Sequence, residues 1–185
     1  MSLRLFIAIE LPDTVVAALR QVQDALRNQP GSQFVRWVNP SGIHLTLKFL
    51  GQTEERLLPE IESGIDRACV QFKPVALRLG ELGAFPSRRR PRVLWIGVAP
   101  VSGEGGLAGV QAEVEQAMGH LGFGHEERSF SPHLTLGRVR QRPGAQAYRA
   151  VGEMLSAGVV VPDVAFTAAE VSLICHGGAK TCGAD

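Results

Sequence analysis

Apolar residues along this chain switch repeatedly between alternation and helical spacing, and each switch marks an element. Residues 3–9, Leu-Arg-Leu-Phe-Ile-Ala-Ile, read as a strand. Leu11-Pro12-Asp13 then signals a helix start, and Val15, Val16, Leu19, Val22 and Leu26 recur at helical spacing to about residue 27, with Arg20, Gln23 and Asp24 on the other positions. A short strand over 34–38 and a Pro40 turn lead into a strand that runs to Gly51. Thr53 or Gln52 caps a second helix whose apolar face is Leu57, Leu58, Ile61, Ile65, Ala68 and Cys69. Strands over 74–82 and 93–98 flank a loop at 85–92, and a Gly-rich segment at 100–106 is linker-like but too short to separate domains. A third helix over 107–121, a strand over 130–140, a shorter helix near 148–155 and a strand over 164–174 complete the chain. This order predicts an α+β fold of mainly antiparallel sheets packed on helices.

Within that pattern one phrase occurs twice: His44-Leu45-Thr46-Leu47 returns as His133-Leu134-Thr135-Leu136. Successive strand side chains point to opposite faces, so each copy sets an imidazole and a hydroxyl side by side and sends both leucines the other way. A slip of one residue would bury the polar pair, so the leucines also specify the register. A single H-x-T on a strand is ordinarily a half-buried histidine and a β-favouring threonine. Two identical copies, each entered through a turn (Pro40-Ser41-Gly42 and Ser131-Pro132), argue for function instead.

Composition narrows the choices. A chain of 185 residues with 45% apolar content suits one globular domain or two small lobes sharing a core. Lys+Arg 19 against Asp+Glu 18 leaves +1, too little for a general nucleic-acid binder, so any basic site is local. The apolar opening meets Glu10 and Pro12 too soon for a signal or membrane segment, and a cytoplasmic protein is expected. Cys69, Cys175 and Cys182 make no even disulfide framework. Cys175, His176 and Cys182 lack a fourth partner for a metal cluster, and a zinc hydrolase built on the two motif histidines would find only weak further ligands in Glu126 and Glu127. No metal and no cofactor are expected. His120 and His125, near a helix end and loop, read as structural or exposed.

The paired H-x-T-x motifs resemble those of the 2H phosphoesterases. Leu5-Phe6-Ile7-Ala8-Ile9 with Leu11-Pro12, the run from Trp37 to Gly51, Phe85-Pro86, Arg92-Val93-Leu94-Trp95 and the run from Phe130 to Arg138 are similar to the RNA 2′,3′-cyclic phosphodiesterase branch, historically called 2′-5′ RNA ligase. The tail from Leu173 departs from that pattern. The resemblance implies a single bilobal domain over residues 1–185 with pseudo-twofold symmetry, a central cleft and one motif per lobe (44–47 and 133–136). It also implies metal-independent opening of the cyclic phosphate, with His44 donating a proton to the 3′ oxygen and His133 activating water, to leave a 2′-phosphate. The same site could run in reverse as a 2′-5′ ligase.

Several residues are candidates to support that chemistry. Thr46 and Thr135 are hydroxyl donors for the non-bridging oxygens. Strict alternation continues the motif faces through Lys48, a cation for phosphate, and Gly137, which leaves room for a ligand. Arg138 matches a family arginine associated with phosphate, yet alternation puts it opposite His133 unless the strand twists or bulges. Arg88, Arg89 and Arg90, with Arg92, could grip RNA phosphates, and Phe49, Phe130 and Trp37 could stack bases, although solvated arginines and core aromatics are the commoner meanings. The expected partner is RNA with a 2′,3′-cyclic end, tRNA fragments included, and a monomer is the default. Rival readings are an RNA-end-binding protein without turnover and a phosphodiesterase of another cyclic or 2′-5′-linked nucleotide.

Overall fold

Two antiparallel sheets divide the strands, and each motif lies on a different sheet. The computed structural model describes residues 2–101, 106–140 and 144–175. The elements are β1 (Ser2–Ile9), α1 (Asp13–Arg27), β2 (Val35–Trp37), β3 (Leu45–Glu54), α2 (Leu58–Cys69), β4 (Val75–Phe85), β5 (Val93–Pro100), α3 (Gly106–His120), β6 (His133–Val139), α4 (Ala145–Ser156), β7 (Ala165–Ala168) and β8 (Ser172–Cys175). One sheet has the order β3-β1-β8 and the other β2-β6-β5-β4-β7. The strands entered by the motifs, β3 and β6, approach each other where the sheets meet. With four helices packed on them, the sheets form the expected α+β fold.

The core follows the predicted alternation. Leu45, Leu47, Leu134 and Leu136 are all buried, as are Leu5, Ile7 and Ile9 of β1 and the apolar face of α1. Each such side chain contributes about 1.5–3 kcal/mol by leaving water, which is what pins the motif strands in register. Helix α3 packs on α2 and on β3. Helix α1 is tied to the other sheet by Gln23, whose Nε2 donates to the carbonyls of Val38 and Leu136, both at 2.8 Å. The periodicity of α1 puts Gln23 among the polar positions, yet it is fully buried.

Three boundaries differ from expectation. Strand β3 runs on to Glu54, so Thr53 is a buried strand residue with its hydroxyl donating to the Gly51 carbonyl, and the helix starts at Leu58 with Pro59 in its first turn. The strand expected at 164–174 is two: β7 pairs with β4 and β8 with β1, so the chain changes sheets at residues 169–171. Despite the unusual tail, a last strand therefore forms. Strand β6 begins at His133, which leaves Phe130 in the preceding loop. Gly103, Glu104, Gly105, His176 and Cys182 lie outside the described residues. Among the described residues, no helix is long and apolar enough to cross a membrane, and no three His, Cys, Asp or Glu side chains are grouped to hold a metal ion.

Candidate active site

Each motif presents its histidine against aromatic rings. His44 stacks on Phe6 of β1, with centroids 4.3 Å apart and planes inclined by 20°. His133 meets Phe85 edge-on at 4.9 Å and Trp95 at 6.2 Å. Gly83 makes that second wall possible, since a Cβ there would lie 2.2 Å from the Trp95 ring. Backbone also sets the state of His133: Nδ1 lies 2.7 Å from the Ser131 carbonyl. A carbonyl only accepts, so Nδ1 carries the hydrogen and proton exchange falls to Nε2. Thr46 and Thr135, two residues on, are half-buried beside their histidines.

Both motif strands then break alternation at the same place. Along β3, Ala8 pairs with Thr46 and Ile7 with Lys48, so Leu47 has no opposite residue on β1. Along β6, Trp95 pairs with Thr135 and Leu94 with Gly137, so Leu136 has none on β5. Each is a bulge at the fourth residue of the motif, and a bulge exchanges the faces of everything after it. This corrects two expectations. Lys48 does not continue the face of Thr46: it lies opposite the core residue Ile7, and its side chain is only 4% exposed. Gly137 lies opposite the core residue Leu94 and packs against Val35, where a Cβ would come within 2.6 Å. The positions that regain the motif faces are Phe49, paired with Phe6, and Arg138, paired with Val93.

Arg138 thus stands on the face of His133, by the bulge that its two sequence readings required. Its other neighbour across the sheet is Arg36 of β2, an exposed arginine that sequence reasoning gave no role. Gln23 is a further missed residue. It holds the carbonyl of the bulged Leu136, which also accepts from the Val38 N–H at 3.0 Å. Phe6, Phe85 and Trp95 were visible only as matches to a family pattern. Strands apolar on both faces give no local sign of which aromatic will lie under a histidine.

Other expected site residues are elsewhere. Lys48 donates from Nζ to Glu115 Oε1 at 2.7 Å and to the Gly124 carbonyl at 2.8 Å. The same Oε1 accepts from the Glu126 N–H at 2.9 Å, and His125 approaches it at 3.1 Å. Burial pushes the Glu115 carboxyl up, but the Lys48 bond, the Glu126 N–H and the charges of Lys48 and His125 outweigh burial and hold it below the usual carboxylate range. Lys48 is therefore a buried structural cation that fastens the loop before the second motif to β3. Arg88 also serves the fold, its guanidinium donating to the carbonyls of Leu82 at 2.6 Å and Leu155 at 3.3 Å. Arg89 and Arg90 are exposed beside it. Phe49 is 64% exposed on its motif face, Phe130 is partly buried against the core, and Trp37 carries Arg27 over its ring at 5.6 Å.

Comparison with known proteins finds similarity over most of the chain. The family described as LigT like Phosphoesterase matches residues 9–95 and 98–177. A protein of Archaeoglobus fulgidus named RNA 2′,3′-cyclic phosphodiesterase is 35% identical over 140 residues, 76% of this chain and 74% of that one. Its namesake from Bacillus subtilis is 31% identical over 133 residues, 72% and 69% of the two chains. Among solved structures, TT0787 of Thermus thermophilus is similar with a TM-score of 0.68 and 28% identity, covering 92% of this chain and 86% of that one. LigT of E. coli complexed with 3′-AMP shares the fold with a TM-score of 0.68, at 23% identity over 97% and 91% of the two chains.

Proposed function

This chain belongs to the LigT-like phosphoesterase family, and from that membership we propose that it opens 2′,3′-cyclic phosphate ends of RNA with His44 and His133 as a paired acid and base. The observation that carries the reading is the duplicated motif, with each histidine set beside a threonine on a bulged strand and the two strands meeting between the sheets. On this reading the two motif faces share one substrate. Water attacks phosphorus on the side opposite the departing 3′ oxygen, so a proton must be taken on one side and given on the other. Nε2 of His133 takes the proton from water, because its Nδ1 is already committed to Ser131. His44, flat against Phe6, gives its proton to the 3′ oxygen, and the phosphate remains on the 2′ oxygen. Arg138 and Arg36 balance the charge of the phosphate, and Phe49 offers a ring for the terminal base. Neither step needs a metal.

Turnover of a short RNA ending in a 2′,3′-cyclic phosphate, in EDTA, with the position of the product phosphate mapped, tests the reading. A 2′-phosphate is expected. Loss of activity in chelator and its return with a divalent ion would point to a zinc hydrolase, and affinity without turnover would point to an RNA-end-binding protein.

The threonines give a second expected result. Thr46→Ala and Thr135→Ala each remove one hydroxyl donor to a non-bridging oxygen. Losing such a donor costs up to ~2.7–4 kcal/mol, and a phosphate shared among several donors should cost less. Reduced kcat with an unchanged Tm is expected for both, and full activity in both would take the threonines out of the site.

A further inference from the structure

Beyond Phe85, the ring that touches His133, the protein opens into a cavity of about 810 Å³. Arg89, Arg90, Arg92, Arg128 and Arg149 line it together with Tyr148, and among the described residues no Asp or Glu does. Among the described residues none of these five guanidinium groups forms an ion pair, although Arg27, Lys48, Arg56 and Arg78 all do. In a chain of net charge +1, so many cations around one space with no carboxylate is a local concentration, and its mutual repulsion is relieved by an anion.

The cavity is built from three distant segments. Arg89, Arg90 and Arg92 come from the loop between β4 and β5, Arg128 from the loop before the second motif, and Tyr148 and Arg149 from α4. Arg88 latches the first of these onto the α4 end through the Leu155 carbonyl. Gly152 of α4 lets the loop come that close, since a Cβ there would lie 2.6 Å from the Arg88 carbonyl oxygen. The five arginines are exposed to solvent, and the packing of these segments gathers them around one open space.

We infer that this cavity holds the phosphodiesters on the 5′ side of the cyclic end, so that the enzyme selects RNA strands over cyclic mononucleotides; the inference rests on the proposed activity for the placement of that end beside His133. A strand whose terminal phosphate lies at His133 must continue 5′-wards, and one ring away the protein offers five fork-shaped phosphate donors and a phenol on which a base can stack. Arg128, Tyr148 and Arg149 become substrate-positioning residues that the motifs do not reveal.

The test compares wild type with Arg128→Gln/Arg149→Gln on nucleoside 2′,3′-cyclic phosphate and on cyclic-ended oligoribonucleotides of two to six nucleotides. In wild type, kcat/KM should rise as the first phosphodiesters are added. In the double variant the oligomer-to-mononucleotide ratio should fall about tenfold, and the plot of log affinity against log salt should become shallower by about 1.4, at roughly 0.7 per phosphate contact on a single strand. An unchanged ratio would overturn the inference. Fluorescence anisotropy with a labelled oligoribonucleotide bearing a 2′-phosphate reads the cavity without turnover. If wild type turns over neither substrate but binds this RNA with the steeper salt slope, the cavity stands and the cyclic-phosphodiesterase reading falls. Equal binding and equal slope in both proteins would dismiss the cavity even if turnover is normal.

Discussion

Replacing His44 or His133 with alanine should each lower turnover of a cyclic-ended RNA by about 10²–10⁴-fold, the range general acid–base groups contribute. The double variant should be little worse than either single one, because an acid and a base that act in one displacement fail together. The rate of the wild type should be bell-shaped in pH, since the reaction needs one protonated and one neutral imidazole at once, and the two limbs belong to the pair. Loss of either histidine should leave the fold in place: each ring lies half-buried against aromatics, while the leucines of its motif carry the packing. Circular dichroism and Tm check that point. Near wild-type turnover in either single variant would sink the two-histidine mechanism.

Lys48→Met should cost stability and leave substrate affinity alone. The substitution strands the Glu115 carboxylate, whose side chain is only 10% exposed, without its cation, and breaking such a pair typically costs about 3–5 kcal/mol. The loop carrying Gly124 and Glu126 loses its fastening as well. Adding Glu115→Gln should recover much of the loss, because no uncompensated charge remains. Acid unfolding supplies an independent check. The Glu115 carboxyl titrates lower in the folded chain than in the unfolded one, so its stabilisation is complete above the ordinary carboxylate range and is lost as pH falls through the lowered folded value. That acid limb should flatten in Lys48→Met. If Lys48 instead touched substrate phosphate, the variant would raise KM for a cyclic mononucleotide and scarcely move Tm, which is the opposite pattern.

What the chain determined by itself was local. Period-2 alternation through His-Leu-Thr-Leu, written twice, decided that the histidine and threonine share a face and that the leucines are core, and the buried Leu45, Leu47, Leu134 and Leu136 obey it. Helical spacing in α1 and α2 decided their buried faces, because which side chains share a helix face depends on near neighbours alone. Tertiary structure decided whatever depends on a partner strand or on the meeting of distant segments. Bulges at Leu47 and Leu136 exist only relative to β1 and β5; they carried Lys48 into an ion pair with Glu115 and returned Phe49 and Arg138 to the motif faces. Gln23 is buried because two carbonyls from β2 and β6 regions wait for its amide, a fact absent from the periodicity of α1. The run Arg88-Arg89-Arg90 divides between a latch and a cavity wall for the same reason: the carbonyls of Leu82 and Leu155 that claim Arg88, and the Arg128 and Arg149 that line the cavity with its neighbours, are fixed by packing between elements, which local spacing does not encode.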